Sequence, residues 1–277
     1  MAGAEDRGRP SLQAMASWDD DLRLAMSVVD QVDALTTARF GAADLQVATK
    51  PDLTPVTEAD TDAERAIRSM LQRTRPRDMV VGEEMEPTGH GRRQWVLDPI
   101  DGTKNFVRGV PVWATLVALV DDRTPVMGVV SAPALGRRWW AALGTGAFTG
   151  RSLSSARRLH VSSVDHLGDA SLSYSSLSGW ESRGLLPGFL DLTRRCWRTR
   201  AYGDFWSYMM LAEGAVDVAC EPELALHDMA ALVPIVTEAG GRFSSLDGTD
   251  GPWGPDAVAT NGALHAETLA VLRGDRG

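Results

Sequence analysis

Between Trp95 and Thr103 the chain reads Trp-Val-Leu-Asp-Pro-Ile-Asp-Gly-Thr, and this stretch constrains the fold more than any other. A short apolar run of strand length delivers Asp98 at its end, Pro99 stiffens the exit, and Asp101 follows three residues later. Two carboxylates can then converge with the Ile100 carbonyl between them. Such a cluster repels itself and is costly to desolvate unless a cation neutralises it, and an all-oxygen set suits Mg2+ rather than zinc. Gly102 and Thr103 lead into Asn105 and Phe106, where successive backbone N–H groups at a turn or helix start can hold a phosphate. A metal site and a phosphate cradle would share one loop.

The rest of the chain is organised around that loop. Residues 1–16 read as a frayed tail without periodicity. From Ser17 onward Asp19, Asp20 and Asp21 suit a first helical turn, and Leu24, Val28, Val32 and Leu35 continue an amphipathic helix to about Phe40-Gly41. Thr57 is suited to cap a second helix that carries Asp60 in its first turn and ends before Pro76. Beyond Pro76, apolar runs at Met79–Val81, Trp95–Leu97, Val112–Val120, Val126–Val130 and Trp139–Ala142 predict one largely antiparallel sheet. Gly144, Gly146 and Gly150 have the wrong spacing for a dinucleotide loop and read as turn glycines.

The second half alternates strands (Ser171–Ser175, Ala215–Ala219, Ala257–Thr260) with helices (near Gly188–Thr193, Asp204–Glu213, about His227–Ala239, Leu264–Leu272). Residues 17–152 thus form an α+β half bearing the metal and phosphate residues, and residues 153–277 an α/β half.

Composition sets the remaining bounds. At 277 residues with 44% hydrophobic and 23% charged, this is an ordinary globular chain, and its longest near-apolar run, Val110–Val120, is far short of the ~20 residues of a membrane-spanning helix. The polar N-terminus lacks a secretory h-region, which points to the cytoplasm. A net charge of -9 opposes binding to a nucleic-acid backbone, and the Arg137-Arg138 pair has no further basic company. Cys196 and Cys220 read as reduced packing residues; His90, His160, His166 and His265 lack metal spacing and read as surface or loop residues.

Further acids lie at element ends: Glu83-Glu84 after the Met79–Val81 strand, and Asp228 at a helix start. Gly82-Glu83-Glu84, the segment from Trp95 to Phe106, and His227-Asp228-Met229-Ala230-Ala231 running on to Gly240-Gly241 resemble the inositol monophosphatase-like phosphatases, which depend on magnesium and are sensitive to lithium. The resemblance covers about residues 20–270 and implies an αβαβα layered sandwich. It implies a first metal on Glu83, Asp98 and the Ile100 carbonyl, and a second on Asp98, Asp101 and Asp228. Glu84 and Asp60 would reach a third ion through water, giving two to three Mg2+ per subunit, with Mn2+ as a substitute and Li+ as an inhibitor. It further implies that Asp60 pairs with Thr103, that Lys50 and Asp52 lie on a mobile loop, and that the protein is a homodimer. His227 departs from the family's usual Trp. The implied reaction is direct attack by water on a phosphate monoester, oriented by Glu83 and the Thr103–Asp60 pair, with no phospho-enzyme.

Relatives act on several phosphate esters, so the leaving-group side must decide. Arg200, Tyr202, Asp204 and Glu221 match positions of that pocket, and an acid followed by two large aromatics, Phe205 and Trp206, stands where inositol-specific members have small residues. Asp204 and Glu221 suit an ammonium and an imidazole, with a ring contact from Tyr202 or Phe205. Asp204 is equally suited to cap the helix that follows, Phe205, Trp206 and Tyr208 to core or dimer contacts, and Arg200 to a structural ion pair. The segments from Gly102 to Leu116, around Tyr202 and from Ser131 to Trp140 resemble the actinobacterial-type histidinol-phosphatase branch, which implies L-histidinol phosphate as substrate. Inositol 1-phosphate hydrolysis, a nucleotide or sugar phosphatase activity, and a non-enzymatic binding role are the alternatives.

Overall fold

The structure, a computed structural model, describes residues 12–51 and 54–274, with the side chains of the first helix described from Trp18. The first helix, α1 (Leu12–Arg39), begins earlier than the acidic cluster suggests, because Leu12, Gln13, Ala14 and Met15 are good helix formers and extend it backward. Asp19–Asp21 therefore lie inside α1, where Asp21 is buried against Arg75 and Arg93 (2.7 and 2.6 Å). Of the expected tail, residues 12–16 are helical, and residues 1–11 lie outside the described ones.

A hairpin of β1 (Val47–Thr49) and β2 (Pro55–Thr57) leads into α2 (Glu58–Thr74). Thr57 caps α2 as its side chain predicts: its hydroxyl accepts from Ala59 N–H, and Asp60 returns a bond to the Thr57 N–H at 2.8 Å. Seven strands follow, β3 (Met79–Gly82), β4 (Arg93–Asp101), β5 (Ala114–Asp121), β6 (Thr124–Ala132), β7 (Arg137–Ala142), β8 (Gly146–Thr149) and β9 (Arg157–Arg158), interrupted by the single turn α3 (Thr103–Val107). They pair in sequence order, parallel between β3 and β4 and antiparallel elsewhere. Because β9 still pairs with β8 through Phe148 and Arg158, this sheet runs past the expected boundary at 152.

The second sheet holds β10 (Ser171–Ser173), β11 (Arg198–Arg200), β12 (Val218–Glu221), β13 (Arg242–Ser244) and β14 (Ala257–Thr260) in the order β11-β10-β12-β14-β13. Its helices are α4 (Ser178–Ser182), α5 (Leu186–Arg195), α6 (Asp204–Ala212), α7 (Leu226–Met229), α8 (Leu232–Glu238) and α9 (His265–Arg273). The one long helix expected from His227 to Ala239 is thus two, parted at Ala230-Ala231. Pro234, near the start of α8, has no N–H to continue an uninterrupted helix from α7.

Strand alternation builds the layers. Leu116, Ala118 and Val120 of β5 pack toward α6 and α8, while Val117 and Leu119 pack toward α1 and α2. On its far side the α6–α8 layer meets Ala219 of β12 with Ala257 and Ala259 of β14, and the opposite face of that second sheet, with Leu172, Val218, Cys220 and Val258, is covered by α5 and α9. The order helix, sheet, helix, sheet, helix is the layered sandwich expected from the sequence. His265, expected as a surface or loop residue, is 1% exposed at the start of α9: its ring nitrogens meet the Ser244 and Thr260 hydroxyls at 2.8 and 3.2 Å, and burial pushes its pKa down to about 4. Arg138 is buried too, bonded to Asp30, Asp33 and Ser131, which consumes the basic pair structurally.

Candidate active site

In an unbroken strand, residues three apart point to opposite faces. Asp98 and Asp101 nevertheless converge, because the β4–β5 register shifts between them: Asp98 pairs with Leu116 and Asp101 with Ala114, leaving Pro99 and Ile100 as a bulge. Pro99 has no N–H to lose at such a position. Below the bulge, Ile100, Phe106 and Trp113 form a small buried cluster with Ala59, and the Phe106 and Trp113 rings meet edge to face at 5.0 Å. This cluster braces the loop. Gly102 turns it at φ +85, a left-handed conformation, with the Val112 carbonyl 3.0 Å from where a side chain would begin.

Asp228, on α7, completes the group. Carboxylate oxygens of Asp98, Asp101 and Asp228 lie within 4.8 Å of one another, a cluster that stands out among the described residues as suited to a metal ion. Burial raises the pKa of each of the three. Repulsion from Glu83 and the neighbouring aspartates raises Asp98 further; for Asp228, His227 and the Ala225 N–H work in the opposite direction. Asp98 Oδ1 is buried with no hydrogen-bond partner. An orphaned carboxylate oxygen facing two more carboxylates fits a hard divalent cation such as Mg2+.

Glu83 and Glu84 arrive from the end of β3. Lys50, on the turn after β1, bridges them, its ammonium 2.6 Å from Glu83 and 2.7 Å from Glu84. Burial alone would lower the Lys50 pKa, but these two bonds outweigh it and raise it. Glu84 is raised to about 7, by burial first, against the pull of Lys50. Asp52 lies outside the described residues. The Thr103 hydroxyl donates to the Ile100 carbonyl at 3.0 Å and stands 3.5 Å from Asp60 Oδ1, whose other oxygen accepts from Thr57. The expected Thr103–Asp60 pair is thus adjacent but loose.

Lys50, Glu83, Asp101, Thr103 and Asp228 border a cleft of about 650 Å³, also lined by Gly102, Lys104, Ser175, Asp204, Glu221 and His227. The ends of the parallel strands β10 and β12 deliver Ser175 and Glu221, and the start of α6 delivers Asp204. The Phe205 N–H, one residue on, donates to Asp101 Oδ2 at 2.7 Å and ties α6 to the metal loop. Asp204 does not cap α6: at φ +50 its carboxylate turns into the cleft and accepts from Asn105 Nδ2 at 3.0 Å. Its pKa is pushed up to about 6, by burial and then by Asp228; Glu221, also buried, is pushed to about 8 by burial, the Ser175 hydroxyl opposing.

Two expected residues stand elsewhere. Gly203, at φ +81, separates them from Asp204, and neither lines the cleft that Asp204 enters. Arg200 is exposed and donates to the Thr199 carbonyl, while Tyr202 accepts from Arg198 and packs on Trp206. The aromatic rings bordering the cleft are Phe205 and Tyr208, both nearly inaccessible and also part of the core. Conversely, the sequence reading used Asn105 only for its backbone N–H and assigned no role to the side chains of Lys104, Asn105, Ser175 and Glu64. Lys104 and Asn105 stood in view beside the Asp-Gly-Thr turn; Ser175 and Glu64 carry no local signal.

The inositol monophosphatase family pattern matches residues 18–274. A histidinol-phosphatase of Streptomyces coelicolor is 64% identical, the match covering 93% of this chain and 98% of that one. One of Mycobacterium tuberculosis is 59% identical over 91% and 98%. Among solved structures, an IMPase of Thermotoga maritima superposes with a TM-score of 0.82 at 29% identity, covering 92% of this chain and 97% of that one.

Proposed function

The chain belongs to the inositol monophosphatase family, and from that membership we propose that it is a Mg2+-dependent phosphomonoesterase that hydrolyses L-histidinol phosphate to L-histidinol and phosphate, a step of histidine biosynthesis. The observation that carries this reading is the Asp98–Asp101–Asp228 cluster beside an acidic cleft, in a chain 64% and 59% identical to histidinol-phosphatases along nearly its whole length.

In this reading Glu83, Asp98 and the Ile100 carbonyl hold one ion, Asp98, Asp101 and Asp228 a second, and Glu84 and Asp60 support a third. Bound Mg2+ supplies Lewis acidity, lowering the pKa of water and neutralising charge on phosphate and leaving oxygen; Mn2+ substitutes and Li+ inhibits. Glu83 and the Thr103 hydroxyl, backed by Asp60, orient the attacking water in line with the ester oxygen. Backbone N–H groups of Gly102 and Thr103, at the start of α3, hold the phosphate oxygens. On the leaving-group side, Asp204 and Glu221 are acceptors for an ammonium and an imidazole, with Ser175 fixing the orientation of Glu221. Neutral inositol would make less use of two carboxylates. Lys50, which bridges Glu83 and Glu84, closes over the phosphate side of the cleft. Tyr202 and Arg200 do not line the cleft. The protein works in the cytoplasm as a homodimer on small molecules rather than on nucleic acid or membrane; its net charge of -9 disfavours a nucleic-acid partner.

Phosphate release with Mg2+ tests the reading, comparing L-histidinol phosphate with inositol 1-phosphate, with Asp98→Asn alongside. A preference for histidinol phosphate is expected, together with a loss of at least about a hundredfold in the variant, since even the outer partners of a metal site are worth 10–100-fold. Preference for inositol 1-phosphate would overturn the substrate, and full activity of the variant would overturn the metal site.

A further inference from the structure

Asp204 is held by a residue from the other half of the chain. Asn105, on α3, donates from Nδ2 to Asp204 Oδ2 at 3.0 Å and to the Val112 carbonyl at 2.9 Å, so its amide is committed on both hydrogens. The same Asp204 oxygen lies 3.3 Å from where a side chain on Gly102 would begin, directly against the turn assigned to phosphate. On the opposite side the Asp204 N–H meets the Ser175 hydroxyl at 3.2 Å. Asp204 also holds a positive φ, +50, which glycine adopts freely and aspartate only uncommonly, and which persists where the surroundings over-determine it. Lys104, the neighbouring cation on α3, lines the cleft without replacing Asn105 in that contact.

These contacts make the separation between phosphate turn and recognition carboxylate a fixed length. We propose that Asn105 is a positioning residue for specificity: it pins Asp204 beside Gly102, so the site selects phosphate monoesters bearing a cationic amino group on the carbon next to the ester-bearing carbon. An ammonium further along the leaving group would not reach a carboxylate seated against the phosphate turn. A neutral group at that carbon would leave Asp204 with an unpaired charge, which is the costlier side of a charge-assisted hydrogen bond. The inference rests on the phosphomonoesterase reading above and names the part of the substrate that one residue pair reads.

The test compares kcat/KM for L-histidinol phosphate with that for the same ester lacking the amino group, in wild type, Asn105→Ala, Asp204→Asn and the double variant. In wild type the amino ester is expected to win by at least about tenfold, and Asn105→Ala is expected to shrink that ratio by about tenfold. The double variant should discriminate no worse than Asp204→Asn, because Asn105 acts through Asp204. If Asn105→Ala lowers both esters in the same proportion and leaves the ratio unchanged, Asn105 is merely part of the loop's structure and the proposal fails. Should Asn105→Ala not fold, Asp204→Asn decides: an unaltered ratio there overturns the proposal as well. Wild type that cleaves both esters equally would sink this inference while leaving the phosphatase intact; wild type that cleaves neither would sink the earlier reading.

Discussion

At the scale of single residues, the site is built from groups that the fold holds at a cost. Asp204 carries two such costs, a left-handed backbone and a carboxylate buried near Asp228 and Asp101. Asp204→Gly removes both, and the unfolding free energy is expected to rise by about 1 kcal/mol while the preference for amino esters falls. Denaturant unfolding of the two proteins, with Mg2+ chelated, checks it; a less stable variant would mean that the Asn105 bond outweighs the strain. This residue also marks the limit of what sequence can reveal. An acid before two aromatics was legible as a pocket residue, yet cap and ligand roles were indistinguishable, because the difference lies in a φ angle and in a partner 99 residues away. Asp98, Asp101 and Ile100 were legible because a strand end, a proline and a glycine confine them locally. Arg200 and Tyr202 stand off the cleft lining, Arg200 bonded to the Thr199 carbonyl, Tyr202 bonded to Arg198 and packed on Trp206, contacts made by neighbours that carry no signal in the sequence.

At the scale of elements, α2 ties the two acidic loops together. Its capping box sets Asp60 beside Thr103, and one turn later Glu64, fully buried, accepts from the Glu84 N–H at 2.7 Å and from Arg68 at 2.7 Å. The capping half of this device was readable from Thr57 and Asp60; the Glu64 half was not, since a glutamate inside a helix usually faces water. Gly82 is the complementary piece. A methyl group there would lie 2.0 Å from Glu64 Oε1, and that carboxylate is held from both sides and has nowhere to move. Gly82→Ala is therefore expected to cost about 1–3 kcal/mol by overpacking and to weaken Mg2+ binding about tenfold by displacing Glu83 and Glu84. Calorimetric titration with Mg2+ measures the second effect, and an unchanged affinity would show that Glu83 does not depend on this contact. Strand alternation made β5 and its neighbours legible, whereas β11 and β13, each three residues long, are specified by their place beside β10 and β14.

For the whole molecule, the acidic cleft sets how stability responds to pH and to metal. Asp204, Glu84 and Glu221 have folded-state pKa values of about 6, 7 and 8, against ordinary values of 3.8 for aspartate and 4.5 for glutamate. Between roughly pH 4 and pH 8 the folded chain thus holds protons that the unfolded chain has released, so its stability falls as pH rises across that window and levels off above it. A divalent cation bound to the folded state acts in the opposite sense. Its positive charge offsets the repulsion that Asp228 exerts on Asp204 and Glu221, and it binds more tightly as its own carboxylate ligands and Glu84 lose their protons. The stabilisation by a fixed free Mg2+ concentration is therefore expected to grow from pH 6 to pH 8.5. Thermal unfolding with Mg2+ and with chelator at the two pH values checks this. The gap between the two melting temperatures should be wider at pH 8.5, most of the change coming from the chelated protein. An equal gap at both pH values would mean that the ions do not bind among these acids. Asp98→Asn narrows the gap at both, because it removes the carboxylate that the two proposed ions share.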